Sequence, residues 1–147
     1  MSYFEDLSEY SYASFSAYPG TKNVGWLAAE HPFRTKTPDD CVLAKLWQHC
    51  KIRLVQSRGI HPCEFCPQGA ESYYAKRGDE QLLLGTSEVR VFGEDGNIFA
   101  APTLIYHYMK DHHYRPPDQF IMAVLDGPTP PDSAYFKRLQ DVGLEWR

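Results

Sequence analysis

The sequence predicts an α+β fold, a small antiparallel sheet or hairpin packed with three to four helices, with a Cys-x-x-Cys loop forming a zinc site. Three observations carry that reading. Helix and strand signals arrive in separate runs rather than as alternating βαβ units. Val89 and Val91 alternate with Glu88 and Arg90 just before a Gly-Glu-Asp-Gly turn. Cys63 and Cys66 sit two residues apart in a short loop flanked by Pro62 and Pro67. The whole of 1–147 reads as one domain, and a chain of this length buries about 68–70% of its unfolded surface, so one core suffices. Within it, 1–37 is an aromatic-rich irregular segment with short strands, 38–127 the core, and 131–147 a C-terminal helix.

The first segment mixes aromatics with Ser, Gly and Pro. Its clearest strand is Asn23–Leu27, and the tract from Tyr10 to Tyr18 reads as an edge strand or a packed flap, with a partner-facing surface as the functional alternative. A helix is expected from Pro38 to Cys50. Thr37 suits its cap, Pro38 its first position, and Asp39 and Asp40 the positive end of its dipole. Val42, Leu43, Leu46, Trp47 and Cys50 form its apolar stripe, while Cys41 points to the opposite side. Strands are expected at Glu80–Leu84 and Ser87–Phe92, the latter turning Val89 and Val91 inward and Glu88 and Arg90 outward to solvent. Gly93–Gly96 turns the chain and Asn97–Ala100 returns as the partner strand. A second helix opens at Ala101-Pro102 and ends near Asp111–His113. A third follows Pro116-Pro117 and stops at Gly127, and a fourth spans Pro131–Asp141.

Composition narrows the function classes. Fifteen basic against nineteen acidic residues give a net charge of −4, which argues against a nucleic-acid binder; Lys45, Lys51, Arg53 and Arg58 are the one local basic group, and Asp39, Asp40 and Glu64 dilute it. No apolar run is long enough to span a bilayer. The start has no positive region followed by an apolar one, so the expected location is the cytoplasm, where four cysteines are free thiols or metal ligands rather than disulfides.

The sharpest motif is Gly59-Ile60-His61-Pro62-Cys63-Glu64-Phe65-Cys66-Pro67. A Cys-x-x-Cys turn aims two thiolates at one cation, and Zn²⁺ takes about four sulfur or imidazole ligands in a tetrahedron. Cys50 is the expected third ligand, from the inward stripe of its helix, and His61 the fourth, with His31, His49 and His112 as alternatives. The expected metal set is therefore Cys50, His61, Cys63 and Cys66. The other readings of these cysteines are buried free thiols and a redox dithiol. Pro62-Cys63-Glu64-Phe65-Cys66 matches one half of the zinc deaminase signature, but the His-x-Glu half is absent, Phe33 standing where the Glu would follow His31. Around Tyr106–Arg115, His107 falls on the polar side of its helix and His112 on the apolar stripe. The two are therefore expected not to converge, and His112 or His113 to cap the helix C-terminus. No Gly-rich phosphate loop, Gly-x-Ser-x-Gly elbow or His-Glu-x-x-His helix is present, and no nucleophile stands out.

Several stretches together resemble an uncharacterised family of small bacterial proteins, a domain of unknown function. They are Tyr3-Phe4-Glu5-Asp6-Leu7, Asn23-Val24-Gly25-Trp26-Leu27, Arg58–Cys66, Glu88-Val89-Arg90-Val91, Ala101–Tyr108 and Tyr114-Arg115-Pro116-Pro117. The resemblance runs to about residue 125 and implies a standalone bacterial domain; it brings no activity and no catalytic residue. The function expected from the residues is a small cytosolic binding or interaction module held by structural zinc, with an immunity- or antitoxin-like role against a protein partner as one version. The alternative is a metal-dependent enzyme, hydrolase or deaminase-like, with Glu64, His61 or His31 beside the metal.

Overall fold

The computed structural model describes residues 3–11, 18–56, 59–67 and 74–146. In chain order the elements are β1 (Thr21–Asn23), α1 (Asp40–Cys50), β2 (Tyr74–Arg77), β3 (Glu80–Leu83), β4 (Glu88–Phe92), β5 (Ile98–Pro102), α2 (Ile105–His112), α3 (Asp118–Asp126) and α4 (Ser133–Asp141). The class is α+β. A three-stranded sheet runs β1-β5-β4, and β2-β3 form a separate hairpin. β4 and β5 pair antiparallel, with Val91 opposite Phe99, whereas β1 joins the far edge of β5 in parallel, with Thr21 opposite Ile98.

Several boundaries move for identifiable reasons. α1 starts two residues later than its Pro38 signal because Asp39, in extended conformation, caps it and accepts from the Cys41 N–H at 2.8 Å. β5 continues through Pro102, so α2 begins at Ile105 rather than at Ala101-Pro102. The strand expected at Asn23–Leu27 lies earlier, at Thr21–Asn23. β2 carries no sequence signal, since Tyr-Ala-Lys-Arg has no apolar alternation; two of its four residues are exposed, and three of the four in its partner β3. Of the Tyr10–Tyr18 tract, residues 12–17 lie outside the described residues, while Tyr10 is buried.

The sheet is covered on both faces. On the inner face Val89, Val91, Phe99 and Ala101 pack with Leu46 and Trp47 of α1, Ile105 and Met109 of α2, and Phe120 and Val124 of α3 in one cluster. The outer face was expected to be solvated at Glu88 and Arg90, yet these are 4% and 1% exposed. Tyr10, Trp26 and Ala100 cover one end of that face, and Phe92, Ile98, Tyr135 and Leu139 the other. Strand alternation separates two faces without saying what lies against each. Arg90 Nη1 donates to Glu88 Oε1 at 2.8 Å, the Tyr10 hydroxyl donates to the same oxygen at 2.9 Å, and the guanidinium sits 4.5 Å above the Tyr10 ring. The Tyr135 hydroxyl of α4 donates to the Arg90 carbonyl at 2.7 Å.

His49, on α1, is buried edge-on to Tyr135 at 5.1 Å, and neither of its ring nitrogens makes a hydrogen bond among the described residues. Burial pushes its pKa down to about 4; the nearby Arg90 carbonyl pulls the other way without reversing the shift. An unfolded histidine titrates near 6.5, so below that pH the unfolded chain takes up a proton that the folded chain refuses. Stability is accordingly full above about pH 6.5 and falls by about 3 kcal/mol as pH drops toward 4. Urea titrations across that window should show a His49→Leu variant losing less stability than the parent; equal losses would mean that His49 is already charged or free to reach water.

Candidate metal centre

The loop that carries Cys63 and Cys66 is held ahead of its first cysteine and between the two. The His61 N–H donates to the Gly85 carbonyl at 2.8 Å, and a Cβ on Gly85, whose φ is +91°, would lie 2.6 Å from the His61 oxygen, so the close approach needs glycine. Glu64, between the cysteines, turns away and accepts from the Ala29 N–H at 2.9 Å. Phe65 turns inward against Phe33 at 5.2 Å and Tyr108 at 5.9 Å, both edge-to-face. One inserted residue thus holds the loop to the N-terminal segment and the other to the core.

What the loop meets is the end of α2. The helix stops because His113 takes a left-handed conformation, φ 56°, its N–H donating to the Tyr108 carbonyl. His107 and His112 both face the loop. Cys66 Sγ is 3.2 Å from His107 Nε2 and 3.4 Å from His112 Nε2, and Cys63 Sγ is 3.4 Å from the same His112 nitrogen. All four ligand atoms of Cys63, Cys66, His107 and His112 lie within 4.8 Å of one another. Zinc–sulfur and zinc–nitrogen bonds of about 2.3 and 2.0–2.1 Å place S and N about 3.5 Å apart across a tetrahedron. The observed separations fit one ion at the centre.

The sequence reading and the geometry differ on half of the ligand set. Cys63 and Cys66 are brought together, while Cys50 and His61 lie outside the cluster. Cys50 is buried under α1 with its sulfur 3.8 Å from the Thr103 carbonyl, and burial raises its thiol to about 12, as suits a packed core thiol. His61 faces Glu64 at 4.0 Å, and His31 stacks on Tyr3 at 3.7 Å. His107 and His112 were expected to diverge, five residues being about 140° apart on a wheel of 100° per residue. Backbone direction does not fix ligand position here: the two rings meet at 5.0 Å between centroids in a T arrangement.

Burial dominates the electrostatics at this point. Burial, with help from the neighbouring Cys66 sulfur, raises the Cys63 thiol to about 11, so a thiolate there needs a cation beside it. Burial lowers the His107 pKa, which keeps its ring neutral as a ligand must be. Asp111, one turn on, meets His107 Nδ1 at 2.9 Å and leaves Nε2 toward the sulfurs. A carboxylate behind a ligating imidazole sets its tautomer and raises its basicity.

Two of the four basic residues near the cysteines are engaged within the chain, and Arg53 is exposed. Lys45 donates to the Leu125 carbonyl and Lys51 pairs with Glu80, while Arg58 lies outside the described residues. Among the described residues no helix is long and apolar enough to cross a membrane.

Comparison with known proteins gives one match, a family model described as a domain of unknown function (DUF7919), which covers residues 2–125. No curated protein and no solved structure matches the chain.

Proposed function

The chain belongs to the DUF7919 family, whose description carries no activity, and on that premise we propose that it is a small cytosolic binding module whose loop is fastened to α2 by one structural zinc ion. The observation that supports this is the convergence of four protein ligands, two thiols and two imidazoles, within 4.8 Å. A mixed S₂N₂ tetrahedron suits Zn²⁺. Four protein ligands close the coordination sphere, whereas hydrolytic or deaminating zinc keeps a position for water. Glu64, between the cysteines, is engaged on the Ala29 amide, and Asp111 backs the ligand His107. A small chain of net charge −4 also suits an immunity- or antitoxin-like role that occludes a basic protein partner.

One arrangement favours a second reading. Cys66, His107 and Asp111 form a thiol–imidazole–carboxylate chain with steps of 3.2 and 2.9 Å, the order used by cysteine nucleophiles. Cys63 and His112 have no task in such a triad, and in the zinc reading every member has one.

Cobalt separates the two. Replacing zinc with Co²⁺ should give one ion per chain with the strong visible bands of a tetrahedral site, unchanged by azide. A spectrum that shifts with azide would indicate an open, catalytic position. A purified chain with no stoichiometric metal and a Cys66 that iodoacetamide alkylates selectively would favour the triad.

A further inference from the structure

A cavity of about 230 Å³ opens on the outer face of the sheet, with none of the four metal ligands in its lining and with Trp26, Ile60, His61, Ser87, Glu88 and Pro102 among the residues that form it. Its one carboxylate, among the described residues, is Glu88, and no lysine or arginine of those residues lines it. Glu88 is held from behind: Arg90 and the Tyr10 hydroxyl both donate to Oε1. A carboxylate offers about four lone-pair positions over two oxygens, so these two donors fix its orientation without exhausting it. Among the described residues Glu88 borders the cavity and Arg90 does not, so the carboxylate end of that ion pair is the end nearest an occupant. Trp26, Ile60 and Pro102 supply apolar wall.

We infer that this cavity binds a small organic cation, an ammonium or amidinium group on a compact apolar body, with the Glu88 carboxylate as its anchor. The size sets the class, since the volume falls below the ~300–1,000 Å³ usual for drug-sized ligands. The chemistry sets the charge, since a fixed, largely desolvated carboxylate forms its strongest hydrogen bonds with cationic N–H donors. The inference rests on the zinc reading in one respect. Ile60 and His61 form a wall of the cavity, and the same short loop runs on to Cys63, so the ion that seats the loop also seats that wall.

The test is a heteronuclear NMR titration of the metal-loaded full chain with three isosteric probes: benzamidine, benzamide and benzoate. Benzamidine should give saturable shifts at the Trp26 indole and the Ser87 and Glu88 amides, with affinity about ten-fold above that of benzamide, and benzoate should give none. In Glu88→Gln the preference for benzamidine over benzamide should vanish. The ordering of the three probes on the parent chain decides the matter even where that variant does not fold. Absence of saturable shifts at these residues, or equal affinity for benzamide, overturns the inference. Metal content measured on the same sample keeps the two readings apart. A loaded chain that ignores benzamidine sinks the cation site alone, whereas a folded, metal-free chain that binds it sinks the zinc reading alone.

Discussion

Cys66→Ser and His112→Ala should each lose the metal and, with it, the folded core at physiological temperature. The expectation follows from size. Structural zinc in small domains contributes about 10–16 kcal/mol to folding, against a total domain stability of about 5–15 kcal/mol. Cys63 and Phe65 of the loop belong to the same apolar cluster as Tyr108 and Met109, so releasing the loop opens the core rather than freeing an appendage. Elemental analysis should fall from one zinc per chain to none, and circular dichroism should lose its cooperative melt. Cys50→Ala and His61→Ala are the decisive companions: neither side chain reaches the cluster, so both should keep full metal content. Asp111→Asn should fall between, holding zinc about 10–100-fold more weakly. Metal lost in Cys50→Ala but kept in His112→Ala would reverse the assignment of the ligands.

Arg90→Met should be the costliest change away from the metal. The guanidinium is 1% exposed and pairs with a Glu88 that is 4% exposed. Removing one partner of such a pair strands the other charge in the core, at a cost of about 3–5 kcal/mol, which for a chain of this size lowers Tm by roughly 10–20 °C. The cost lies mainly in the isolated carboxylate. The double variant Glu88→Gln with Arg90→Met should therefore recover a large part of the loss, because a neutral amide asks far less of its surroundings. Urea unfolding of the single and double variants measures the coupling. A single variant within about 1 kcal/mol of the parent would mean that the cavity beside Glu88 lets water solvate the stranded carboxylate well enough to replace Arg90.

Much of the architecture was legible in the residues, for reasons that also explain the gaps. α1, α3 and α4 announce themselves by apolar spacing, with Gly127 as the stop of α3, all of which act locally, although Asp39 rather than Thr37 caps α1. β4 was legible by alternation, but its burial on the outer side was not, because the covering comes from Tyr10 and Tyr135 at opposite ends of the chain. The same limit applies to the metal ligands. Cys63 and Cys66 are neighbours in sequence and declare each other, whereas Cys66 and His107 are 41 residues apart. A signal did exist, since two cysteines separated by two residues, then two histidines separated by four, fall within zinc-ligand spacing. The helical-wheel argument obscured it by treating the direction of Cβ as the position of Nε2.

The parallel edge of the sheet bears on how the molecule assembles. Thr21 finds Ile98 across 77 positions of chain (98 − 21), whereas β4 and β5 are joined by one short turn. Chain entropy makes long closures slow and local ones fast. Closure entropy therefore favours the β4–β5 hairpin forming ahead of the β1–β5 pairing. An ion held by Cys63, Cys66, His107 and His112 would close a loop of 41 positions from Cys66 to His107, shorter than the closure β1 needs, and so would tie loop to helix at a lower entropic cost.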